Sequence, residues 1–169
     1  MELTRAIEIV PAGAWPGEPW ADTMALTYDE RHRRRMRYVA AGGTEFLLDL
    51  PRAAVLKAGD ALRLEDGRLI RIEAAPEALL EVTAQGQSLV RLAWHIGNRH
   101  LTAQLEASRI LIREDAVIAA MLRGLGASVV SVRAPFNPEA GAYGTHPPGS
   151  AHDAHYGILR HSGHGASEP

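Results

Sequence analysis

Residues 88–97 read Ser-Leu-Val-Arg-Leu-Ala-Trp-His-Ile-Gly, and this stretch decides how the second half of the chain is interpreted. Its apolar residues recur at the three- and four-residue spacing of one helical face. Ser88 suits the N-cap position, and Gly97 is able to close the C-terminus. The stretch therefore predicts an amphipathic helix, and the residues on its buried side are Leu89, Leu92, Ala93 and Ile96.

Strand-like segments and a second helix surround this predicted helix. Asp115 is placed to cap the second helix, which Gly124 and Gly126 bring to an end. The strands are predicted at residues 78–84, 102–107, 109–113 and 128–132. The resulting order is β-α-β-β-α-β, the split unit of ferredoxin-like domains, and it predicts such a domain over residues 76–136.

The first part of the chain alternates apolar and polar residues, as is typical of strands with one buried face. Asp66-Gly67 supplies the positive φ angles of a tight hairpin turn between two such strands. The strands are predicted at residues 3–10, 37–39, 45–50, 61–64 and 68–72. Short strands with regular turns predict an all-β domain over residues 1–73, a small sandwich or barrel, with a linker at residues 74–76.

Residues 137–169, the tail, contain six glycines, four prolines and five histidines but few core-forming residues. Such a segment buries too little apolar surface to offset its conformational entropy, so we expect it to be disordered. The predicted fold class is α+β. It consists of an N-terminal all-β domain, a ferredoxin-like domain and a disordered histidine-containing tail.

The composition narrows the possible functions. The chain has 169 residues, a formal net charge of -2 and no cysteine. Disulfides, thiolate metal sites and cysteine nucleophiles are therefore excluded, and the slightly acidic balance argues against nucleic-acid binding. The sequence shows neither a secretion signal nor an apolar run of the roughly 20 residues that span a bilayer. We expect a cytoplasmic protein that binds no membrane.

The eight histidines are the candidate metal ligands, because neutral imidazole binds nickel, copper and zinc. In the tail, His152-x-x-His155 and His161-x-x-His164 place pairs of imidazoles within reach of one ion, although a merely polar terminus is the alternative. His95 falls in the last turn of the first predicted helix, where a structural capping role is equally open. His100 follows that helix and is expected to be exposed. A two-fold dimer would bring it to its own copy.

Residues 94–100, Trp-His-Ile-Gly-Asn-Arg-His, resemble the Gly-Asn-Arg-His signature of the urease accessory protein UreE family, the nickel metallochaperones. Other stretches resemble the same family, in the same order along the chain. They are residues 45–51 (Glu-Phe-Leu-Leu-Asp-Leu-Pro), Gly59-Asp60, residues 65–68 (Glu-Asp-Gly-Arg), residues 121–126 (Met-Leu-Arg-Gly-Leu-Gly) and residues 135–144 (Pro-Phe-Asn-Pro-Glu-Ala-Gly-Ala-Tyr-Gly). The resemblance therefore covers nearly the whole chain.

This resemblance implies a homodimer, not an enzyme, that delivers Ni²⁺ for assembly of the urease active site. Its N-terminal domain would engage protein partners, namely a urease accessory GTPase and the apo-urease complex, and its C-terminal domain would dimerise. His100 matches the family histidine that binds nickel at the dimer interface, and His95 matches an accessory position in some members. The further metal ligands expected from the tail are His146, His152 and His155. Zn²⁺ or Cu²⁺ is expected to compete in vitro.

Two features of the sequence stand apart from this resemblance. Many family members carry a histidine directly after the aspartate that opens the second helix, but here Ala116 follows Asp115, so we expect no secondary metal site there. Residues 31–37, Arg-His-Arg-Arg-Arg-Met-Arg, are expected to form a solvated loop or strand edge, with a docking patch for an acidic partner as the alternative. The alternative function is a non-metal protein-interaction module that acts as an assembly or folding adaptor.

Overall fold

The computed structural model describes residues 3–15 and 19–139, and the first of its two sheets is built from residues 5–74. Its strands are β1 (Arg5–Val10), β2 (Asp22–Leu26), β3 (His32–Val39), β4 (Glu45–Val55), β5 (Ala61–Leu64) and β6 (Leu69–Ala74). They lie in the order β2-β6-β5-β1-β4-β3. The β1–β4 and β2–β6 pairs are parallel, and the other neighbours are antiparallel. The predicted N-terminal β domain is confirmed.

One face of this sheet carries the core of the first domain, as the alternating sequence predicts. Phe46, Leu48 and Leu50 of β4 are buried in one cluster with side chains of β1, β2, β5 and β6. The sheet curls so that its two ends approach each other. The Ala41 amide, just after β3, donates a 2.8 Å hydrogen bond to the Thr23 carbonyl on β2. This curl lets a single sheet enclose a core.

The predicted strands of this domain lie in the right places but are incomplete. The predicted hairpin is confirmed, because β5 and β6 pair across Asp66-Gly67 and Gly67 has a φ of 87°. The sequence does not predict β2, and of β3 it predicts only the last three residues. β4 continues past the predicted end at residue 50 and includes Pro51. This proline lies where the β3–β4 register is irregular, which is why a strand accommodates it.

A buried carboxylate fixes the curl of the first sheet. Asp22 on β2 accepts hydrogen bonds from the amides of Thr23, Gly42 and Thr44 at 2.8, 2.7 and 3.0 Å. Burial alone would raise the pKa of Asp22, but these hydrogen bonds, foremost those from Thr44, outweigh burial and lower the pKa to about 2. A Cβ at Gly42 would lie 2.9 Å from Asp22 Oδ1, so this position has no room for a side chain.

The second sheet belongs to a β/α domain that follows after a single connecting residue, Ala75. Its elements are β7 (Pro76–Ala84), α1 (Leu89–Gly97), β8 (Ala103–Leu105), β9 (Ile110–Arg113), α2 (Ala116–Gly124) and β10 (Ala127–Pro135). The strand order is β10-β7-β9-β8, with every neighbouring pair antiparallel. The element order agrees with the predicted one, although β8 is shorter than expected. Neither described helix is long and apolar enough to cross a membrane.

Both helices pack against one face of this sheet. Leu92 and Ile96 of α1 and Leu122 of α2 share a buried cluster with Leu80 and Val82 of β7 and with residues of β8 to β10. The caps of the two helices differ from each other. Asp115 caps α2 as predicted, because its Oδ1 accepts from the amides of residues 117 and 118 at 2.8 and 2.9 Å. Ser88 stands at the N-cap of α1 but makes no side-chain capping bond.

The opposite face of the second sheet packs against a turn of the first domain. Leu79, Leu111 and Phe136 form a separate buried cluster, and Tyr28 from the turn after β2 packs on it. The Tyr28 and Phe136 ring centroids are 5.5 Å apart in an edge arrangement, and the Tyr28 amide donates to Glu77 at 2.8 Å. The two described domains therefore share a small apolar core.

Arg31 adds a buried charge to this contact. Its side chain is only 2% exposed, donates through Nη2 to the Phe136 carbonyl and through Nη1 to Asn137 Oδ1 at 3.2 Å, and stacks near Tyr28. Its buried Nε has no hydrogen-bond partner in the described residues, and burial lowers the pKa of the guanidinium. The expectation that residues 31–37 are solvated is wrong at Arg31. Charge signs along the sequence do not reveal a carbonyl acceptor more than a hundred residues away.

We predict that Asp22→Asn lowers the free energy of unfolding by about 2 kcal/mol at neutral pH, because the amide cannot replace the charge. The folded-state pKa lies below the ordinary value of 3.8, so this contribution is present above about pH 4 and disappears as the pH falls toward 2. Urea unfolding at pH 7 and pH 3 measures the difference. Glu8→Gln, which removes an exposed charge paired with Arg63, should cost less than about 1 kcal/mol. An equal cost at both pH values would contradict the prediction.

A second prediction concerns the contact between the domains. Arg31→Ala should lower the free energy of unfolding by about 3 kcal/mol, because it opens a void and leaves the Phe136 carbonyl buried without its donor. The matched variant is Asp29→Ala, which removes the exposed ion pair with Arg113, 2.8 Å between Nη1 and Oδ2. It should cost less than about 1 kcal/mol. Comparable losses in denaturant unfolding would show that Arg31 is no more important than the surface pair.

Candidate functional site

The turn that follows α1 determines how His100 is displayed. The helix ends at Gly97, as predicted, but Gly97 is not the residue with left-handed backbone geometry. That residue is His100, whose φ of 56° is the sole positive value among the described non-glycine residues. The His100 amide donates to the Gly97 carbonyl at 2.9 Å, and the Arg99 amide donates to the Ile96 carbonyl at 3.1 Å. The backbone is therefore held at His100 by the preceding turn.

This geometry places the His100 side chain in solvent while the neighbouring apolar side chains remain in the core. Ile96 is buried and Leu101 packs on the same cluster, whereas His100 between them is exposed. A β-carbon in the left-handed region costs roughly 1–2 kcal/mol, so a histidine there carries strain that glycine would avoid. The imidazole consequently projects from a strained turn whose two flanks are anchored in the core.

His100 lies at an open cleft of about 470 Å³ in the second domain. The residues that line the cleft include the apolar Ile112 and Ile118 and three consecutive polar residues between the end of β9 and the start of α2. The lining residues are Ala78, His100, Leu101, Thr102, Ile112, Arg113, Glu114, Asp115 and Ile118. Glu114 accepts a 2.9 Å hydrogen bond from the Ser131 hydroxyl. The imidazole thus shares its cleft with two carboxylates and one guanidinium.

The sequence does not single out Arg113 and Glu114 as neighbours of His100, and the pairing of β8 with β9 explains their proximity. Ala103 lies opposite Ile112 in this antiparallel ladder. Residues just before β8 are therefore brought to the end of β9, where residues 113 and 114 follow. The β8–β9 register creates this cleft, and no local sequence signal reveals it, because it joins residues that are more than ten positions apart.

His95 has a different environment. It lies in the last turn of α1, is half-buried, and contacts the Trp94 ring edge-on with centroids 5.0 Å apart. Its carbonyl accepts a 3.0 Å hydrogen bond from Arg99 Nη1. His95 does not line the cleft that contains His100. Its position agrees with the interaction of a basic residue with a helix C-terminus, and the metal role stays a prediction.

Within residues 3–15 and 19–139, no three histidine or acidic side chains are grouped closely enough to hold a metal ion. His146, His152 and His155, which are predicted ligands, lie outside the described residues, as does the predicted disordered tail from residue 140 onward. One accessible imidazole is a weak site for a transition metal by itself. Any metal centre built on His100 therefore requires ligands from beyond this part of the chain.

Fold and site together define a class: a two-domain β-rich protein that displays a strained, accessible histidine on its β/α domain. The family models for the UreE urease accessory protein match residues 5–75 with the N-terminal domain and residues 77–165 with the C-terminal domain. The chain belongs to the UreE family of urease accessory proteins. This is a family of accessory proteins and not the urease itself.

Individual relatives agree with this assignment. The chain is 55% identical over 151 residues to the urease accessory protein UreE of Rhodopseudomonas palustris, with 89% of this chain and 70% of that protein covered. It is 52% identical over 143 residues to the same-named protein of Rhodobacter capsulatus, covering 85% and 88%. The corresponding protein of Beijerinckia indica is 47% identical over 154 residues, covering 90% and 86%.

The strained backbone of His100 leads to a prediction about stability. His100→Gly should be about 1 kcal/mol more stable than His100→Ala, because only glycine adopts the left-handed region without a β-carbon penalty. Thermal and urea unfolding of the two variants measures this difference. The same two substitutions at Arg99, whose φ is not positive, should rank in the opposite order. Equal stability of the two His100 variants would show that the turn relaxes freely.

Proposed function

We propose that this protein is a nickel metallochaperone that binds Ni²⁺ through His100 and delivers it for assembly of the urease active site. Membership in a family of urease accessory proteins supports the role in urease maturation. The observation that carries the nickel part is the exposed His100 imidazole, held in a strained turn beside an open cleft. A binding group held in costly geometry is a common mark of a functional position.

A second copy of the chain is the proposed source of one further ligand. In a two-fold dimer, an exposed residue near the axis meets its own copy, so two His100 imidazoles would face one ion. The exposed apolar side chains of α1 support an interface in this region, because Val90 is 77% and Trp94 is 63% exposed. Residues of this kind are more common in interfaces than on free surfaces.

The tail is the proposed source of the remaining ligands. The described chain ends at Glu139, whose amide donates a 2.9 Å hydrogen bond to the Ala103 carbonyl, three residues from His100. His146 follows seven residues later in the sequence, with His152 and His155 beyond it. We propose these three residues, together with His95, as supplementary ligands. The resemblance to the family is the reason for including each of them.

A site built from imidazoles suits transfer better than storage. Nitrogen ligands of this kind bind nickel, zinc and copper, so Zn²⁺ or Cu²⁺ should compete in vitro. The ligands come from separate segments and copies, so the ion is released when one of them leaves. In the proposed pathway, the nickel passes in the cytoplasm to a urease accessory GTPase and the apo-urease complex. The β-α-β-β-α-β order also supports the proposed classification of the second domain as ferredoxin-like.

The central prediction concerns nickel binding by His100→Gly, which removes the imidazole and relieves the backbone strain. Isothermal titration calorimetry should show loss of the tightest nickel event, with at least about tenfold weaker binding. In the parent protein the affinity should fall as the pH drops through about 6.5, because imidazole must lose its proton to bind. His32→Ala is the matched control, since His32 is an exposed histidine of the first domain. It should bind nickel normally.

Two outcomes would separate this proposal from the alternative of a non-metal interaction module. If the parent protein binds no nickel at micromolar concentrations, the interaction module is favoured. If His100→Gly binds nickel as tightly as the parent, the assignment of His100 is wrong. Deletion of residues 146–169 should lower the nickel stoichiometry and leave a dimer in analytical ultracentrifugation.

A further inference from the structure

β3 is an end strand of the first sheet. The Ala41 amide, just after it, bonds to β2, but residues 33–39 make no backbone hydrogen bond to a described residue on the side away from β4. In the β3–β4 ladder, the Ala40 amide bonds to the Thr44 carbonyl, so the alternation of antiparallel pairing makes residues 38 and 36 the next bonded positions. The amides and carbonyls of Arg35, Arg37 and Val39 consequently point away from β4. The Leu47 amide, opposite Arg37, confirms this pattern, since it donates to Thr4 on the other side of β4. A row of backbone donors and acceptors is thus available for another strand.

The same edge carries a concentrated positive charge. Four of the eight residues of β3 are arginine, and Arg52 lies in the irregular part of β4 opposite them. Arg35 and Arg37 are paired with Asp49 and Glu45. In contrast, Arg33, Arg34 and Arg52 form no ion pair with a described residue. This surface is basic although the whole chain has a net charge of -2.

Apolar side chains are exposed beside these arginines. Met36 on β3 is 48% exposed, Val39 at its end is 59% exposed, and Val55 at the end of β4 is 41% exposed. Charge alone would suffice to keep an edge strand from pairing with other chains. Exposed apolar residues at the same edge have the opposite effect, because they favour contact with another chain. Arginine together with methionine is instead the composition enriched in protein interfaces.

We propose that the outer edge of β3 binds an extended acidic segment of a partner protein, which adds to the sheet as a further strand. Backbone hydrogen bonds to Arg35 and Arg37 would supply the pairing. The guanidinium groups of Arg33, Arg34 and Arg52 would contact carboxylates of the segment, which arginine recognises through its two-pronged donor geometry. Arg33 and Arg34 already donate to the backbone carbonyls of His32 and Leu50, but none of the three arginines forms an ion pair with a described residue. A nucleic acid is the less suitable occupant, because the described surface of β3 offers no aromatic platform for bases apart from the half-buried Tyr38.

The first test uses a fluorescein-labelled peptide of about eight residues, the length of β3, that alternates glutamate and valine. The full chain should bind it at low ionic strength, and should bind the matching glutamine–valine peptide at least about tenfold more weakly. Arg33→Ser/Arg34→Ser/Arg52→Ser should lose at least about tenfold in affinity for the acidic peptide. The control is Arg63→Ser/Arg91→Ser/Arg133→Ser, which changes the net charge equally on other elements and should retain binding.

A second pair of variants tests the backbone part of the proposal. Arg37→Pro and Arg37→Ser both remove the charge, but only proline removes the outward-pointing amide, and it leaves the ladder to β4 intact. Proline should weaken acidic-peptide binding at least about tenfold relative to serine. In the parent chain, hydrogen exchange should show that the Arg35 and Arg37 amides become protected when the peptide binds. If Arg37→Pro does not fold, this exchange measurement alone tests whether the peptide binds to the backbone of β3.

Several results would overturn the proposal. Equal binding of the two peptides, equal loss in the two triple variants, or unchanged exchange at Arg35 and Arg37 would each do so. Tighter binding of a fluorescein-labelled oligothymidine would assign the patch to nucleic acid, and edge-dependent self-association without peptide would assign it to a second copy. None of these measurements uses nickel, so their failure is distinguishable from failure of the proposed function.

Discussion

The guanidinium of Arg31 is the interaction on which the arrangement of the two described domains depends. Burying a charge is costly unless hydrogen bonds replace the lost water, and two of its three nitrogens have such partners at residues 136 and 137. The remaining Nε is unpaired, so the contact favours one specific geometry more than it maximises stability. Only Ala75 connects the sheets along the chain. The domains are therefore held by a short link, by the apolar cluster in which Tyr28 packs on Phe136, and by this buried, directional contact.

His100 depends on a second constraint, which acts through the backbone. The turn after α1 must return Leu101 to the core directly after an exposed residue, and the left-handed conformation at position 100 accomplishes this reversal. Glycine is the usual solution to such a turn. A histidine in its place accepts strain and gains an imidazole that neighbouring side chains do not cover. The strained backbone and the exposed imidazole are two separate reasons to regard His100 as the candidate functional residue.

The sequence predicts those parts of the fold that local patterns determine. The two helices, the Asp115 cap and the Asp66-Gly67 hairpin depend on residues within one or two turns of each other. β2 and the burial of Arg31 depend on partners far along the chain, at residues 70–74 and 136–137. The exposure of His100 was predictable from its place after the helix. Its left-handed backbone and its cleft were not, because Gly97 is the more obvious terminator and β8–β9 pairing creates the cleft.

The proposed metal ligand, His100, and the proposed docking strand, β3, belong to different domains, and this separation has a physical consequence. A contact between domains that is small and polar usually allows them to move relative to each other. Here, the apolar cluster around Phe136 and the buried Arg31 restrict that motion, although the covalent connection is a single residue. A partner held at β3 would therefore occupy a defined position relative to the second domain. The strained backbone at His100 fixes the direction of its imidazole, and the buried charge of Arg31 fixes the position of one domain against the other. Each of them costs some stability.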